Sequence, residues 1–293
     1  MARLPLGLCI PLLALSLTAQ ASWAEGSGLT PSYSTVVDWA ANTVTIDASV
    51  SLAGTSTILP NARTRAEQAV RNDKASLTQS AFFPILADSY NTVGDLAASN
   101  PARYSALEDL VSPTNEQYAK MSADLKSLTV QYVLPLFPNL ASVFVDQVHP
   151  NPPQPLLSYV PTTKFTGIVI YAAMQLPVHG DTTTALLNPC LFPKIWDENM
   201  NLLASANTVD PSALRKWGLA AYSASTDETP YTLRIGLNPY HTAATGIFGK
   251  HDTDVIISNE AAARILASKE NISLLTQGKV LIIADPRLVT GGK

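Results

Sequence analysis

Along "TVVDWAANTVTIDASVSL" apolar and polar residues alternate on both sides of residues 40–42, which predicts a β-hairpin whose buried face carries Val37, Trp39, Val44, Ile46 and Val50. The preceding "EGSGLTPSYS" is small and polar and reads as flexible. In "PNARTRAEQAVRNDKASLTQSAFFPILAD" the period lengthens to that of a helix. Ala62, Ala66, Ala69, Val70, Leu77 and Ala81 make its core stripe, and Glu67 stands four residues from both Arg63 and Arg71. The basic residues on the other side read as a solvated face. "NPARYSALEDL" gives a short helix and "TNEQYAKMSADLK" the start of another. "SLTVQYVLPLFPNLASVF" gives one or two strands, with Pro135 and Pro138 expected at an edge or a turn.

Five prolines in the thirteen residues of "HPNPPQPLLSYVP" then impose an extended, semi-rigid connection. Beyond it, the continuous apolar run of "TKFTGIVIYAA" marks a strand buried on both faces. "NPCLFPKIWDENMNLL" reads as strand, turn and strand, with Pro189 and Pro193 limiting its approach to an extended path. "DPSALRKWG" is a helical turn capped by Asp210 with Pro211 at its first position. "YTLRIGL" reads as a strand. "TDVIISNEAAARILASKENISLL" supplies a strand, a Ser258 cap and an alanine-rich helix, and "GKVLIIADP" a closing strand. Strands mixed with helices throughout predict an α+β or mixed α/β fold, with β-hairpins and mixed sheets packed against a few helices in two domains. The expected division is an N-terminal α+β domain at 25–148, a proline-rich linker or crossover at 149–161, and a C-terminal mixed α/β domain at 162–293.

The first residues change the picture of where the chain goes. "MARLPLGLCIPLLALSLTAQASWAEGSG" sets Arg3 before an apolar run from Leu4 to Leu17 and then small and polar residues, the pattern of a secretory signal peptide. That run is shorter than the ~20 residues a membrane-spanning helix needs, and Pro5 and Pro11 weaken it further. Cleavage after Ala24 places Ser22 and Ala24 where signal peptidase inspects, and is preferred to cleavage after Ala21; the leader is therefore 1–24. Cys9 lies inside the apolar run after bulky Leu8, which argues against lipidation. Export to the periplasm or outer envelope is the expectation. No second apolar stretch reaches spanning length, so no transmembrane span is expected in the mature chain.

Charge and composition narrow the partners. The formal net charge is −4 with 14% charged residues, and no basic run suited to neutralising phosphates occurs, so nucleic acid is not an expected partner. Loss of the leader removes Arg3 and leaves Cys190 as the lone thiol, with no internal disulfide. Beside Leu191 and Phe192, Cys190 reads as a buried small hydrophobe whose apolar setting raises its pKa.

Motifs for chemistry are sparse. Neither GxxxxGK[ST] nor GxGxxG occurs, and "TGIFGKHD" at 245–252 lacks the strand-to-helix spacing of a phosphate cradle. His149, His179, His241 and His251 never fall at metal-ligand spacing. The best local grouping, "HDTD", offers His251, Asp252 and Asp254 as metal ligands, although a polar turn before "VIIS" explains the same residues. No GxSxG elbow or cysteine-protease signature is present, and the adjacent carboxylates at 108–109, 197–198 and 227–228 read as solvated turns. Trp39, Trp196, Trp217, Tyr222, Tyr231 and Tyr240 are candidates for a glycan or peptide platform, foremost Trp196, Trp217 and Tyr240, against the plainer reading of aromatic core packing. No catalytic residue and no cofactor is assigned.

Taken together, "FTGIVIYA", "PKIWDENMNLL", "DPSALRKWGLAAY", "DVIISNEAAARIL" and "KVLIIAD", with "VDWAANTVTID" and "LPNARTRAEQAV" before them, resemble uncharacterised exported proteins of spirochaetes and other flagellated Gram-negative bacteria, grouped loosely with LPP20-like and flagellar-assembly envelope proteins. The likeness runs over most of the mature chain. It departs at Met200, in the "YAAMQLPVHG" extension, and in having no lipobox. The resemblance implies a mixed α/β envelope protein whose partners are envelope or flagellar proteins, and it carries no activity to any residue. The leading expectation is an exported non-enzymatic envelope protein acting through protein–protein contacts, with a link to flagellar or surface assembly. A glycan- or small-ligand-binding module and a hydrolase with a noncontiguous site stand beside it.

Overall fold

In the structure, a computed structural model that describes residues 29–53 and 59–291, strand β1 (Pro31–Asp38) turns through residues 39–42 into β2 (Thr43–Ser51). The leader at 1–24, its cleavage site and Cys9 lie outside the described residues. Helices α1 (Leu59–Asn72) and α2 (Lys74–Phe82) follow, then α3 (Val93–Ala98), α4 (Pro101–Leu110), β3 (Glu116–Met121) and β4 (Ser127–Pro135). The four strands form an antiparallel sheet in the order β1-β2-β4-β3. Alternation decides its register: Val44, Ile46, Ala48 and Val50 face Leu134, Tyr132, Val130 and Leu128, and all eight are buried on the face that α1 and α2 cover. The opposite face is polar and cross-bonded, with Ser49 to Thr129 at 3.0 Å and Gln131 to Asp47 at 2.8 Å.

The C-terminal part is built on β5 (Ile168–Ala172). After it come β6 (Leu176–Pro177), β7 (Thr184–Ala185), β8 (Ile195–Asp197), β9 (Leu202–Ala204), α5 (Pro211–Trp217) and β10 (Ala220–Ser223). The chain continues through α6 (Thr232–Ile235), β11 (Tyr240–Phe248), β12 (Asp254–Ile257), α7 (Asn259–Leu266), α8 (Lys269–Thr276), β13 (Val280–Ala284) and α9 (Pro286–Val289). Seven strands make a mixed sheet in the order β10-β13-β5-β11-β12-β8-β9. On one face Ile168, Ile170, Val280 and Ile282 join a core continuous with that of the N-terminal sheet; on the other, Val169, Leu281 and Ile283 pack beneath Ile235 of α6. The fold is thus mixed α+β in two domains. Among the described residues no helix is long and apolar enough to cross a membrane.

Several local expectations give way to tertiary pairing. "PSYS" is not flexible: it belongs to β1, paired along its length with β2. "EQYAKM" forms edge strand β3 instead of a helix, because β4 offers it an open ladder. "YTLRIGL" forms no strand: a 3-10 turn at Thr229–Tyr231, with Pro230 in its first turn, runs into α6, which Gly236 ends at φ 72°. Strand β11, not among the expected elements, fills the gap between β5 and β12. The long first helix breaks at Asp73, and the alanine-rich helix ends before a second cap at Ser268 starts α8. Pro135 ends the central strand β4 and leads into the helical turn Leu136–Leu140 that holds Pro138, so both prolines stand at a turn as expected, although the strand is not an edge.

Candidate functional site

Four of the six aromatic candidates meet at one place, the seam between the two sheets. Trp39 arrives on the β1–β2 turn, Trp217 ends α5, Tyr222 sits on edge strand β10, and Tyr231 precedes α6; with Phe137 and Arg234 they line a cavity of about 140 Å³. The hairpin turn is held for this role. Asn42 adopts φ 58°, and its side chain donates to Phe137 O at 2.7 Å and accepts from Phe137 N at 3.0 Å. Trp39 N donates to Val289 O at 2.8 Å, tying the turn to α9.

The hydroxyls in the wall are occupied. Tyr222 OH accepts from Cys190 N at 3.2 Å and donates to Cys190 O at 3.3 Å; Tyr231 OH donates to Tyr222 O at 2.9 Å. Burial holds the Tyr222 phenol well above its ordinary pKa, so it stays neutral. Trp39 meets the Tyr222 ring edge-on at 5.7 Å.

Arg234 is the charged group of the cavity and is only 8% exposed. Its Nε donates to Gly278 O at 2.7 Å, Nη1 to Trp217 O at 2.8 Å and Nη2 to Gly218 O at 2.8 Å. These carbonyls lie just past α8 and at the end of α5, where unpaired carbonyls and the helix dipoles favour a cation. Among the described residues no carboxylate lies within ion-pair distance of Arg234. Burial pulls its pKa down to about 9, which leaves it protonated at neutral pH. Gly278 has to be glycine: at φ 63°, an added Cβ would stand 2.3 Å from Gly218 O.

The other aromatic candidates lie elsewhere. Trp196 donates to Asp254 Oδ2 at 3.0 Å and packs on Phe248, while Tyr240 packs on Phe165 at 4.9 Å. Of Trp196, Trp217 and Tyr240, only Trp217 reaches the cavity. The metal candidates do not converge. Asp254 is wholly buried, accepting also from Lys194 N at 3.2 Å; Asp252 occupies the turn at φ 53°; and among the described residues no group of three metal-ligating side chains forms. Burial raises the Asp254 carboxyl above the ordinary carboxylate value, opposed by hydrogen bonds from Ser89 and Trp196.

Two clusters touch on hydrolase chemistry. Lys194 Nζ donates to Ser89 Oγ at 3.1 Å, but Ser89 is 0% exposed and offers no atom to a substrate. On the sheet face, Glu228 accepts from Tyr171 OH at 3.1 Å and pairs with His241 Nε2 at 2.9 Å. Here the tyrosine proton points at the acid instead of the histidine, and burial followed by the bond to Glu228 raises the phenol's pKa, so no nucleophile is activated. Cys190 is 1% exposed, its thiol pushed up to about 12. What sequence reading missed is Arg234; the signal was a lone cation between Leu233 and Ile235 in an apolar run.

Residues 30–143 match the protein-family model of the N-terminal domain of Treponema pallidum Tp0624, and residues 167–286 match that of the second domain of the same protein. The chain is thus similar to two spirochaete domains in the same order, with the proline-rich run between the matched segments. Neither description names an activity, and neither carries an LPP20-like or flagellar link. No curated protein matches the chain.

Proposed function

We propose that the chain is an exported, non-enzymatic envelope protein, in the periplasm or outer envelope, that works by contact with a partner protein at a flagellar or other surface assembly. Export, and with it the envelope setting, is supported by the apolar leader pattern. The contact reading rests on one observation. The proline-rich crossover runs without helix or strand and presents Leu157 and Tyr159 at 105% and 91% exposure, with Val148 just before it at 75%. Large apolar side chains so fully solvated gain nothing for the fold, while burial of each in an interface is worth about 1.5–3 kcal/mol. Pro150 and Pro153, and Pro152 and Pro155, stand three residues apart, the repeat of a polyproline II helix. The matching partner surface is an aromatic-lined groove.

A photo-crosslinking residue placed at Pro161, the last residue of this stretch, tests the proposal in cells, with the captured protein identified by mass spectrometry. A specific envelope protein should be captured, and Leu157→Asp with Tyr159→Asp should abolish capture while changing stability by less than about 0.5 kcal/mol. Capture unaffected by the double substitution, or substrate turnover lost on a single polar substitution, would refute it.

A further inference from the structure

We propose that the seam cavity binds a small apolar monocarboxylate, aromatic or branched, with its carboxylate on Arg234 and its body between Trp39, Trp217, Tyr231 and Phe137. A guanidinium has five N–H donors, and three are taken by carbonyls. One N–H remains on each Nη, the number that an end-on carboxylate takes. The group is a buried cation with no carboxylate partner among the described residues, in a wall whose tyrosine hydroxyls are already bonded to backbone. An anion is the missing complement. The lining is otherwise ring faces, Leu136, the small side chains of Ala40, Ala220 and Ala221, and Asn42, whose amide is already bonded to Phe137 O and N, which suits an apolar body and not the hydrated oxygens of a phosphate. The volume of about 140 Å³ is close to the roughly 150 Å³ of an apolar cavity that admits benzene in another protein. Trp217 and Tyr231 are only half-buried, which leaves a path from solvent.

This site is separate from the contact reading, since the proline-rich crossover contributes none of its lining. Benzoate is the probe, titrated calorimetrically into the protein beside benzyl alcohol and inorganic phosphate. One saturable site for benzoate is expected, with benzyl alcohol and phosphate at least about tenfold weaker because neither supplies both the charge and the fit. Ala40→Leu, which narrows the cavity without touching the Arg234 bonds, should weaken benzoate by about tenfold or more with an unchanged circular dichroism spectrum. If Ala40→Leu does not fold, Tyr231→Ala, which removes a half-buried wall, replaces it with the same expected loss. Absence of a saturable heat, equal binding of benzyl alcohol or phosphate, or undiminished affinity in the folded variant would each overturn the proposal.

Discussion

Alkylation of Cys190 should be all but silent in the native protein and appear only when the domains come apart. The thiol is 1% exposed, its amide donates to Tyr222 OH at 3.2 Å, and the next two amides are zipped to the N-terminal domain, Leu191 N to Leu86 O at 3.1 Å and Phe192 N to Ala87 O at 2.8 Å. Burial, with a smaller push from Asp254, moves the thiol from 9.0 up to about 12. At pH 8 the reactive thiolate fraction then falls from about one in ten to about one in 10⁴, a loss of roughly a thousandfold before any steric exclusion is counted. The assay is labelling with iodoacetamide at pH 8 in a Cys9→Ser chain, followed across a urea series beside circular dichroism. Native labelling should be at least about a thousandfold slower than in the unfolded chain, rising with the loss of structure. Because the folded pKa is raised, the contribution of the neutral thiol to stability is intact below pH 9 and is lost as pH rises towards 12. Labelling at the free-thiol rate with an unchanged spectrum would refute the packing described for this segment.

Arg234→Lys keeps a cation but cannot span three carbonyls; leaving two of them unbonded at about 1–3 kcal/mol each predicts a loss of about 2–6 kcal/mol in urea unfolding, and a variant as stable as the parent would remove Arg234 as a clamp. Gly278→Ala should cost at least about 1–2 kcal/mol, since it adds left-handed strain to a Cβ placed 2.3 Å from Gly218 O; a melting midpoint equal to that of the parent counts against this geometry.

Legibility followed how local the deciding contacts are. In β2 and β4 the alternation carries the answer, because one face is buried and a slip of one residue would expose Val44, Ile46 and Val50 together. The stripe of α1 and α2, the Asp210 and Ser258 caps and the turn between β8 and β9 are equally local, and each stands where its residues predict. By contrast "EQYAKM" and "YTLRIGL" have mixed preferences, and the decision falls to β4 in one case and to Pro230, Gly236 and the Arg234 clamp in the other. The cavity could not be read at all by spacing. Its residues at 39, 137, 217, 222, 231 and 234 belong to two domains and share no period, so the aromatic candidates were visible as types without a shared location.

The seam also explains why a turn that reads as an ordinary hairpin end is so firmly held. A free hairpin tip gains nothing from fixing Asn42 in the left-handed region or from spending its side chain on both backbone groups of Phe137. A tip that docks gains from both, because Leu136 N donates to Asn42 O at 3.0 Å and Trp39 N to Val289 O at 2.8 Å only when the turn has this shape. Phe137, placed by the turn, in turn faces Gly218, where an added Cβ would stand 2.6 Å from the ring, and Gly218 O is one of the three acceptors of Arg234. Hairpin, helix end and buried cation therefore form a chain of contacts across the two domains. Any ligand held between Trp39 and Arg234 grips both ends of that chain, so its binding energy adds directly to the docking of one domain on the other.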